Sequence, residues 1–185
     1  MEIKHCASCG GVMESRDMDG FPRKACPDCG YVHWGNYSVG VGALVLRENK
    51  LLLVRRAQEP GKGFWTNPGG YMEQTETIEE TVCREVREEA GIEAQVRRIV
   101  GLRDQPRSIH NVYIAFAMDY ISGEPRPDMT EVDAAGFYSR DEMETMHVAP
   151  FTRWLAQMAF EPSGSGLRTD DAPLAAEKGY LLYRI

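Results

Sequence analysis

Acidic residues are concentrated between Glu76 and Ala90, where six glutamates stand against two arginines. At about 100° per residue, Glu85, Glu88 and Glu89 fall on one side of a helix, within roughly a third of its circumference. Like charges placed so closely repel each other, and a bound divalent cation would reverse the sign of that interaction. Carboxylate oxygens are the ligands that Mg²⁺ and Mn²⁺ prefer, and substrate phosphates commonly complete the coordination shell. The segment therefore predicts a site that binds a metal and a phosphate.

Most charge runs on helices are solvated faces, and the spacing of the neighbouring residues is what favours a metal site here. Gly70 is followed after five residues by Glu76, and after seven more by Arg-Glu-apolar-x-Glu-Glu-x-Gly-apolar at positions 84–92. This string resembles the Nudix box, and every fixed position of the box is filled. The resemblance covers roughly residues 38–160. It implies an α+β fold in which a mixed sheet lies within a Nudix α/β/α sandwich.

The resemblance implies specific roles for residues of this string. Four residues are expected to bind Mg²⁺ or Mn²⁺: Gly70 through its carbonyl group, Glu85, Glu88 and Glu89. Glu85 is expected either to bind the metal or to orient the attacking water. Arg84 and Glu76 are expected to hold the ligands in place, because a guanidinium binds carboxylates through paired hydrogen bonds. Arg84 is also expected to be a catalytic residue.

A catalytic base outside the box is expected on a later loop. Glu131 precedes Val132 and lies six positions before Phe137. This order resembles the Glu-Val and aromatic pattern that brings a later loop over the metal in several Nudix enzymes. Glu131 is therefore the leading candidate, and its alternative role is that of a solvated loop acid. Glu124 and Asp133 are weaker candidates for the same base.

Basic residues near strand ends are candidates for binding the phosphates of the substrate. Arg55 and Arg56 end a predicted strand, although arginines at strand ends are more often solvated. Arg103, Arg107 and His110 lie near the entry to a later strand and are further candidates for lining the cleft.

The N-terminal part of the chain contains two Cys-x-x-Cys pairs, formed by Cys6, Cys9, Cys26 and Cys29. This spacing favours a structural Zn²⁺ bound by four thiolates, in a zinc ribbon spanning residues 1–35. Gly10 and Gly30 follow the second cysteine of each pair and would allow the tight turns that such a site needs. Disulfide bonds are the alternative, which a cytoplasmic location disfavours. His5 and His33 lie beside the pairs and are left unassigned.

Strand and helix patterns continue along the rest of the chain. The predicted strands span residues 39–46, 50–55, 94–102, 111–120 and 135–138, and the predicted helices span 141–146 and 150–160. Thr77 and Glu80 predict a capping box at the start of the acidic helix, and Gly91 predicts its end. The residues from Ala57 to Gly70, rich in glycine and proline, predict a loop.

Two packing roles are predicted in and near the acidic helix. Its apolar residues recur every four positions and predict a face that packs on a sheet: Ile78, Val82, Val86 and Ala90. Cys83 is expected to pack as a small apolar residue. In the preceding loop, Phe64 to Gly70 matches the aromatic-x-x-Pro-Gly-Gly sequence that precedes the box in the family, and Trp65 is expected to be structural.

The predicted domains are a zinc ribbon at 1–35, a Nudix hydrolase domain at 36–160, and a linker with a C-terminal tail at 161–185. Residues 162–166 predict a flexible linker, and the apolar end of the tail is expected to dock as an edge strand. The resemblance to dinucleotide pyrophosphatases also implies a homodimer.

Composition excludes some classes of protein. The chain has 185 residues, 43% of them hydrophobic, which is enough for a sizeable core. Its formal charge of −7 and pI near 5.2 disfavour a general nucleic-acid binder. No apolar run reaches the roughly 18 residues of a membrane span, and the N-terminus has no signal-peptide core, which predicts a cytoplasmic protein without membrane contact.

The resemblance implies metal-dependent hydrolysis of a nucleoside diphosphate linked to another moiety. A zinc ribbon joined to a Nudix domain is similar to NADH pyrophosphatases and to smaller proteins related to ADP-ribose and FAD pyrophosphatases. The former carry a Ser-Gln-Pro-Trp-Pro-Phe-Pro-like stretch, of which only Gln105-Pro106 is present here. ADP-ribose or FAD, cleaved to release AMP, is therefore the expected small-molecule substrate. The alternatives are an NADH or NAD pyrophosphatase, a nucleotide sensor without turnover, and a nucleic-acid-binding zinc-ribbon protein.

Overall fold

A computed structural model describes residues 3–161, 168–170, 172–173 and 181–184. The chain separates into two compact units, with the division after Tyr37 and with residues 107–109 grouped with the smaller, N-terminal unit. The linker predicted at 162–166 lies outside the described residues. Among the residues that are described, no helix is long and apolar enough to cross a membrane.

The smaller unit is a three-stranded antiparallel sheet with the order β1 (Glu14–Met18), β2 (Phe21–Ala25) and β3 (Val32–His33). The turn between β1 and β2 places Asp19 and Gly20 at positive φ, and the Gly20 N–H donates to Asp17 Oδ1 at 3.2 Å. The buried apolar cluster of this unit consists of Cys6, Met13 and Cys26. A core this small gives little hydrophobic stabilisation, so a bound metal would contribute much of the folding free energy.

The larger unit is built around one sheet. Its described elements are β4 (Tyr37–Arg47), β5 (Lys50–Arg56), β6 (Trp65–Thr66), α1 (Ile78–Ala90), β7 (Glu93–Gln105), β8 (His110–Ser122), β9 (Val132–Tyr138), α2 (Arg140–Thr145), α3 (Pro150–Phe160), β10 (Arg168–Asp170) and β11 (Leu181–Arg184). The strand order is β10-β11-β7-β8-β4-β5-β6, and β9 also pairs with β5. The β7–β8 and β5–β9 pairs are antiparallel, whereas a parallel bridge joins Trp65 to Val148, so the sheet is mixed.

The side chains of β5 alternate between two apolar cores, one on each face of the sheet. Leu52 and Val54 pack in the cluster that includes α1, while Leu51 and Leu53 pack in the cluster that includes α2 and α3. Successive residues of a strand point to opposite faces, so a strand that is apolar at every position can serve both cores. The predicted α/β/α sandwich with a mixed sheet is confirmed.

The boundaries of α1 agree with the predicted signals. Thr77 accepts the Glu80 N–H on its hydroxyl at 3.2 Å, and the Glu80 carboxylate accepts the Thr77 N–H at 2.8 Å. Gly91 ends the helix with a φ of 68°, and its N–H donates to the Arg87 carbonyl at 2.9 Å. The predicted apolar face and Cys83 all pack in the cluster under α1.

Two local predictions need correction. The predicted loop from Ala57 to Gly70 contains the short strand β6, in which Trp65 pairs with Arg55 of β5 and packs edge-on against Tyr138 with ring centroids 4.9 Å apart. Trp65 is thus structural, as expected. The C-terminal strand β11 pairs with β7 on one side and with β10 on the other, so β11 is not the edge strand. Pairing between distant segments is not encoded in local sequence patterns, which explains both differences.

We expect Thr77→Ala to lower the free energy of unfolding by about 1 kcal/mol, because it removes the side-chain acceptor for an N–H of the first turn. Urea unfolding followed by circular dichroism measures the change. Thr75→Ala is the matched control, since Thr75 is an exposed residue just before the helix. Equal stability of the Thr77→Ala variant and the wild type would contradict the capping role.

Candidate functional site

The glutamates of α1 differ in their exposure to solvent. Glu85 and Glu89, one helical turn apart, are 9% and 8% exposed, whereas Glu88 lies at the surface. Burial raises the pKa of Glu85, and burial raises the pKa of Glu89 to about 8 despite a hydrogen bond from the Gly69 N–H. A carboxylate buried with so little compensation favours a bound cation, which would offset its charge.

Arg84 holds three carboxylates together at the start of this site. Its guanidinium donates to both oxygens of Glu76, at 2.7 and 3.0 Å, to Glu85 Oε1 at 2.9 Å and to Glu88 Oε2 at 3.0 Å. The hydrogen bonds from Arg84, joined by one from Thr81 Oγ1 at 3.1 Å, keep the pKa of Glu76 below its usual value. Arg84 therefore compensates part of the repulsion among the acids and fixes their positions.

Two consecutive glycines bring the loop before α1 against its carboxylates. The Gly69 N–H donates to Glu89 Oε2 at 2.8 Å. A Cβ atom at Gly70 would collide with the Glu85 carboxylate, so the close approach requires glycine there. The Gly70 carbonyl accepts the Val41 N–H at 2.9 Å and retains a second lone pair for another partner.

A cavity of about 310 Å³ collects most of the predicted residues. It is lined by Gly70, Tyr71, Glu73, Arg84, Glu85, Glu88, Glu89, Asp128 and Glu131. The weaker base candidates are engaged elsewhere: Asp133 accepts from Arg55 Nε at 2.6 Å, and Glu124 accepts from Arg47 Nη1 at 3.2 Å. The structure thus brings Glu131, and neither alternative, to the carboxylates of α1.

Asp128 is a residue of this cavity that the sequence analysis missed. Its Oδ1 accepts the backbone N–H groups of Thr130, Glu131 and Val132 at 2.9 to 3.0 Å. These bonds stabilise a turn in which Met129 has a φ of 63°. An aspartate that opens a turn commonly accepts N–H groups a few residues later, and this signal was available in the sequence. Asp128 therefore holds the backbone that carries Glu131.

Comparison with known proteins identifies the family. The family model of the NUDIX domain matches residues 36–158. The chain belongs to the Nudix family. A crystal structure of a Nudix hydrolase from Nitrosomonas europaea is 31% identical and superposes with a TM-score of 0.73, covering 84% of this chain and 92% of that one.

Two curated relatives of this Nudix chain carry names that differ in substrate. The NAD-capped RNA hydrolase NudC of Pseudomonas aeruginosa strain LESB58 is 31% identical over 140 residues, which cover 76% of this chain and 49% of the relative. The ADP-ribose pyrophosphatase of Methanocaldococcus jannaschii is 38% identical over 90 residues, which cover 47% of this chain and 53% of the relative. The chain thus spans about half the length of these curated relatives.

The carboxylates of α1 are the donors that this Nudix chain offers to a divalent metal. In the part of the chain that the structure describes, only four cysteines have all their ligand atoms within 4.8 Å of one another. The carboxylates of Glu85, Glu88 and Glu89 are spread more widely, with Arg84 between the first two. The donors still fit Mg²⁺ or Mn²⁺, because they are hard oxygens on one cavity wall and the exposed side chain of Glu88 can reorient.

The predicted substrate arginines occupy different environments. Arg55 pairs with Asp133 and lies over Trp65, so its charge is already engaged. Arg56 lines a second cavity together with Arg103 and Glu89. His110 contacts Asp104, and Arg107 belongs to the smaller unit.

The four cysteines of the smaller unit form a cluster that fits zinc. Cys6 Sγ lies 3.6 Å from Cys29 Sγ, and Cys9 Sγ lies 3.5 Å from Cys26 Sγ. Sulfurs around a tetrahedral Zn²⁺ with bonds of about 2.3 Å would be about 3.8 Å apart. The observed separations are far above the roughly 2.05 Å of a disulfide bond, and all the cysteines are free thiols.

Backbone geometry around the cluster supports the same assignment. Gly10 and Gly30 have φ values of 79° and 76°, as expected for the turns that follow each pair. The Ser8 N–H donates to Cys6 Sγ at 3.3 Å. Although burial acts to raise the pKa of Cys6, backbone hydrogen bonds such as this one lower it to about 7. Conversely, a backbone hydrogen bond at Gly11 acts to lower the pKa of Cys9, but its hydrogen bonds with Cys29 and Cys26 raise it to about 12. His5 and His33 lie outside the cysteine cluster, which already offers four ligands among the described residues.

We expect Asp128→Ala to release the turn that carries Glu131, because three N–H groups lose their acceptor. Hydrogen exchange at residues 130–132 should accelerate by on the order of tenfold. Asp119→Ala is the control, since Asp119 is exposed on β8. Unchanged exchange at 130–132 would contradict the positioning role of Asp128.

We expect protein purified without chelator to contain about one zinc per chain by elemental analysis, because four thiolates complete the shell of Zn²⁺. The Cys26→Ser variant should lose most of the zinc. The Cys83→Ala variant should retain it, because Cys83 lies on α1 and packs in the apolar cluster between α1 and the sheet. Zinc-free wild-type protein, prepared without chelator, would overturn the assignment.

Proposed function

We propose that this chain hydrolyses the diphosphate bond of a nucleoside diphosphate linked to another moiety, using Mg²⁺ or Mn²⁺. ADP-ribose or FAD is the preferred substrate, and AMP is a product. The observation that carries the proposal is the single cavity that unites Glu85, Glu88 and Glu89 with Glu131. Acidic side chains from two separate parts of the chain serve no evident packing purpose there, whereas metal-assisted hydrolysis needs both ligands and a base.

The metal ligands in this proposal are Glu85, Glu88, Glu89 and the Gly70 carbonyl. A bound divalent cation supplies charge neutralisation of the diphosphate and lowers the pKa of water. Arg84 keeps Glu85 and Glu88 in place through its hydrogen bonds, and the Gly69 N–H fixes one oxygen of Glu89. Glu76 anchors Arg84 from the opposite side with two hydrogen bonds.

Glu131 is proposed to accept the proton of the attacking water. Its charge contributes to the raised pKa values of both Glu85 and Glu89, which places it within electrostatic reach of them. The turn held by Asp128 keeps Glu131 at the cavity without using its carboxylate. A carboxylate left available in this way can take a proton from a water molecule in the cavity.

NADH or NAD is a second candidate for the substrate. It is favoured by the curated relatives named NAD-capped RNA hydrolase, of which one from Vibrio parahaemolyticus is 32% identical over 169 residues, or 91% of this chain. The preference for ADP-ribose or FAD rests on the missing stretch around Gln105-Pro106 and on the similarity to the named ADP-ribose pyrophosphatase. A sensor without turnover and a nucleic-acid-binding ribbon are less favoured, because the carboxylates of the box are all present.

We further propose the domain boundaries 1–35 for the zinc ribbon, 36–160 for the Nudix hydrolase domain and 161–185 for the linker and tail. The family match at 36–158 and the division of the chain after Tyr37 support the first boundary. Zn²⁺ is proposed as a structural ion of the ribbon. A homodimer in the cytoplasm remains the proposed state of the protein.

We expect the purified protein to release AMP from ADP-ribose or FAD in the presence of Mg²⁺ or Mn²⁺, because the acidic cavity requires a cation to accept a diphosphate. The assay offers ADP-ribose, FAD, NADH, NAD, diadenosine polyphosphates, nucleoside triphosphates and capped RNA, with products identified by mass. Preferred cleavage of NADH or NAD would replace the favoured substrate with the second candidate. Metal binding without cleavage of any compound would favour the sensor.

We expect Glu89→Gln to lower kcat/KM by on the order of 100-fold or more, because it removes a charged metal ligand. Glu79→Gln is the control on the same helix, since Glu79 is exposed and does not line the cavity. Full activity of the Glu89→Gln variant, or activity of the wild type without any divalent metal, would contradict the mechanism.

A further inference from the structure

The loop before α1 links the sheet to a ligand of the proposed metal. The carbonyl groups of Pro68 and Gly70 accept N–H groups of β4, at 2.8 and 2.9 Å. The intervening Gly69 donates its N–H to Glu89 Oε2 at 2.8 Å. Two consecutive glycines lose more conformational freedom on folding than any other pair of residues, so this geometry needs a further restraint.

Asn67 supplies such a restraint from a buried position directly before the loop. Its Nδ2 donates to the Pro68 carbonyl at 3.2 Å and to Tyr113 Oη at 3.0 Å, and its Oδ1 accepts the Thr152 hydroxyl at 3.1 Å. Because a carbonyl oxygen can only accept, the amide nitrogen must face Pro68, which fixes the orientation of the side chain. Both N–H groups and the oxygen of the amide are therefore in use.

The partners of Asn67 come from parts of the fold that are distant in the sequence. Tyr113 lies on β8, and Thr152, which is buried, lies on α3. A Cβ atom at Gly42 of β4 would collide with Tyr113 Oη and Asn67 Nδ2, so β4 packs directly against this pair. All three polar side chains line the second cavity, to which Phe151 also contributes. A buried polar network whose members bind one another is rigid, so it can hold the adjoining loop in one conformation.

We infer that Asn67 is a positioning residue of the metal site: it holds the loop so that the Gly69 N–H meets Glu89 and the Gly70 carbonyl lies at the acidic cavity. The inference deepens the proposed function and rests on it. Asn67 is not among the residues that line the acidic cavity, so it acts through the loop. Removal of its amide should let the two glycines relax and should weaken the binding of a divalent cation, although every ligand is still present.

Hydrogen exchange and Mn²⁺ binding test the two steps separately in the full-length, zinc-loaded protein. By nuclear magnetic resonance and without added divalent cation, Asn67→Leu should accelerate exchange at the Gly69 amide by on the order of tenfold relative to amides of β5. The dissociation constant for Mn²⁺, from electron paramagnetic resonance of the free ion, should rise by about tenfold. Asn36→Leu is the matched control, since Asn36 is exposed, and should behave as the wild type does in both measurements.

Two substitutions at Thr152 separate the hydrogen-bond network from packing. Thr152→Val keeps the shape of the side chain but lacks the hydroxyl, and should weaken Mn²⁺ binding by about fivefold. Thr152→Ser keeps the hydroxyl and should bind Mn²⁺ nearly as the wild type does. Thr75→Val is the control, since Thr75 is exposed. If Asn67→Leu does not fold, the Thr152 variants carry the test, with the same measurement of exchange at Gly69.

Three results would overturn the inference. The first is exchange at Gly69 that rises no more than exchange in β5, because the substitution then lowers global stability alone. The second is wild-type affinity for Mn²⁺ in a folded Asn67→Leu variant, or no Mn²⁺ binding by the wild type. The third is a Thr152→Ser variant as impaired as Thr152→Val. Neither measurement uses a substrate, so a wild type that binds Mn²⁺ without hydrolysis would contradict the proposed function and leave this inference standing.

Discussion

The electrostatic interaction between Arg84 and the carboxylates around it is the constraint on which the site depends. Two like charges about 4 Å apart near a protein surface repel by roughly 4 kcal/mol, which is comparable with the whole stability of a domain at about 5–15 kcal/mol. Arg84 offsets this repulsion by binding Glu76, Glu85 and Glu88 at once. One guanidinium, itself anchored by Glu76, thus allows an acidic helix face to fold before any metal arrives.

The compensation by Arg84 does not extend to Glu89. That residue is at least as buried as Glu85, and its carboxylate is held by the Gly69 N–H alone among the hydrogen bonds of the described residues. The uncompensated negative charge of Glu89 faces a cavity, where a cation can reach it. Across Glu89, the second cavity carries the opposite charge through Arg56 and Arg103.

The sequence predicted the features that depend on local patterns. The capping box at Thr77, the end of α1 at Gly91 and the apolar face of the helix follow from residues within a few positions of one another. The position of Trp65 in a short strand and the place of β11 inside the sheet were missed, because Trp65 bridges to Val148 and β11 pairs with β7, both far along the chain.

The candidate site shows the same limit. The box glutamates are close in sequence, so their common face could be predicted, and Glu131 was reached only through a family resemblance. Asp128 lies near Glu131 and acts through backbone groups, and its place at the start of a turn is a signal that the sequence analysis overlooked. The second cavity could not be predicted from the sequence, because Arg103 and Phe151 come together only through the pairing of β7 with β8 and the position of α3.

The most direct test of the central claim is a titration of Mn²⁺ into the zinc-loaded protein, followed by electron paramagnetic resonance of the free ion. The account predicts saturable binding of Mn²⁺ that Mg²⁺ displaces and that is lost when Glu85, Glu88 and Glu89 are all replaced by glutamine in a protein that still folds. Binding of equal strength to this triple variant, or no binding to the folded wild type, would contradict the claim that the acidic face of α1 is a metal site.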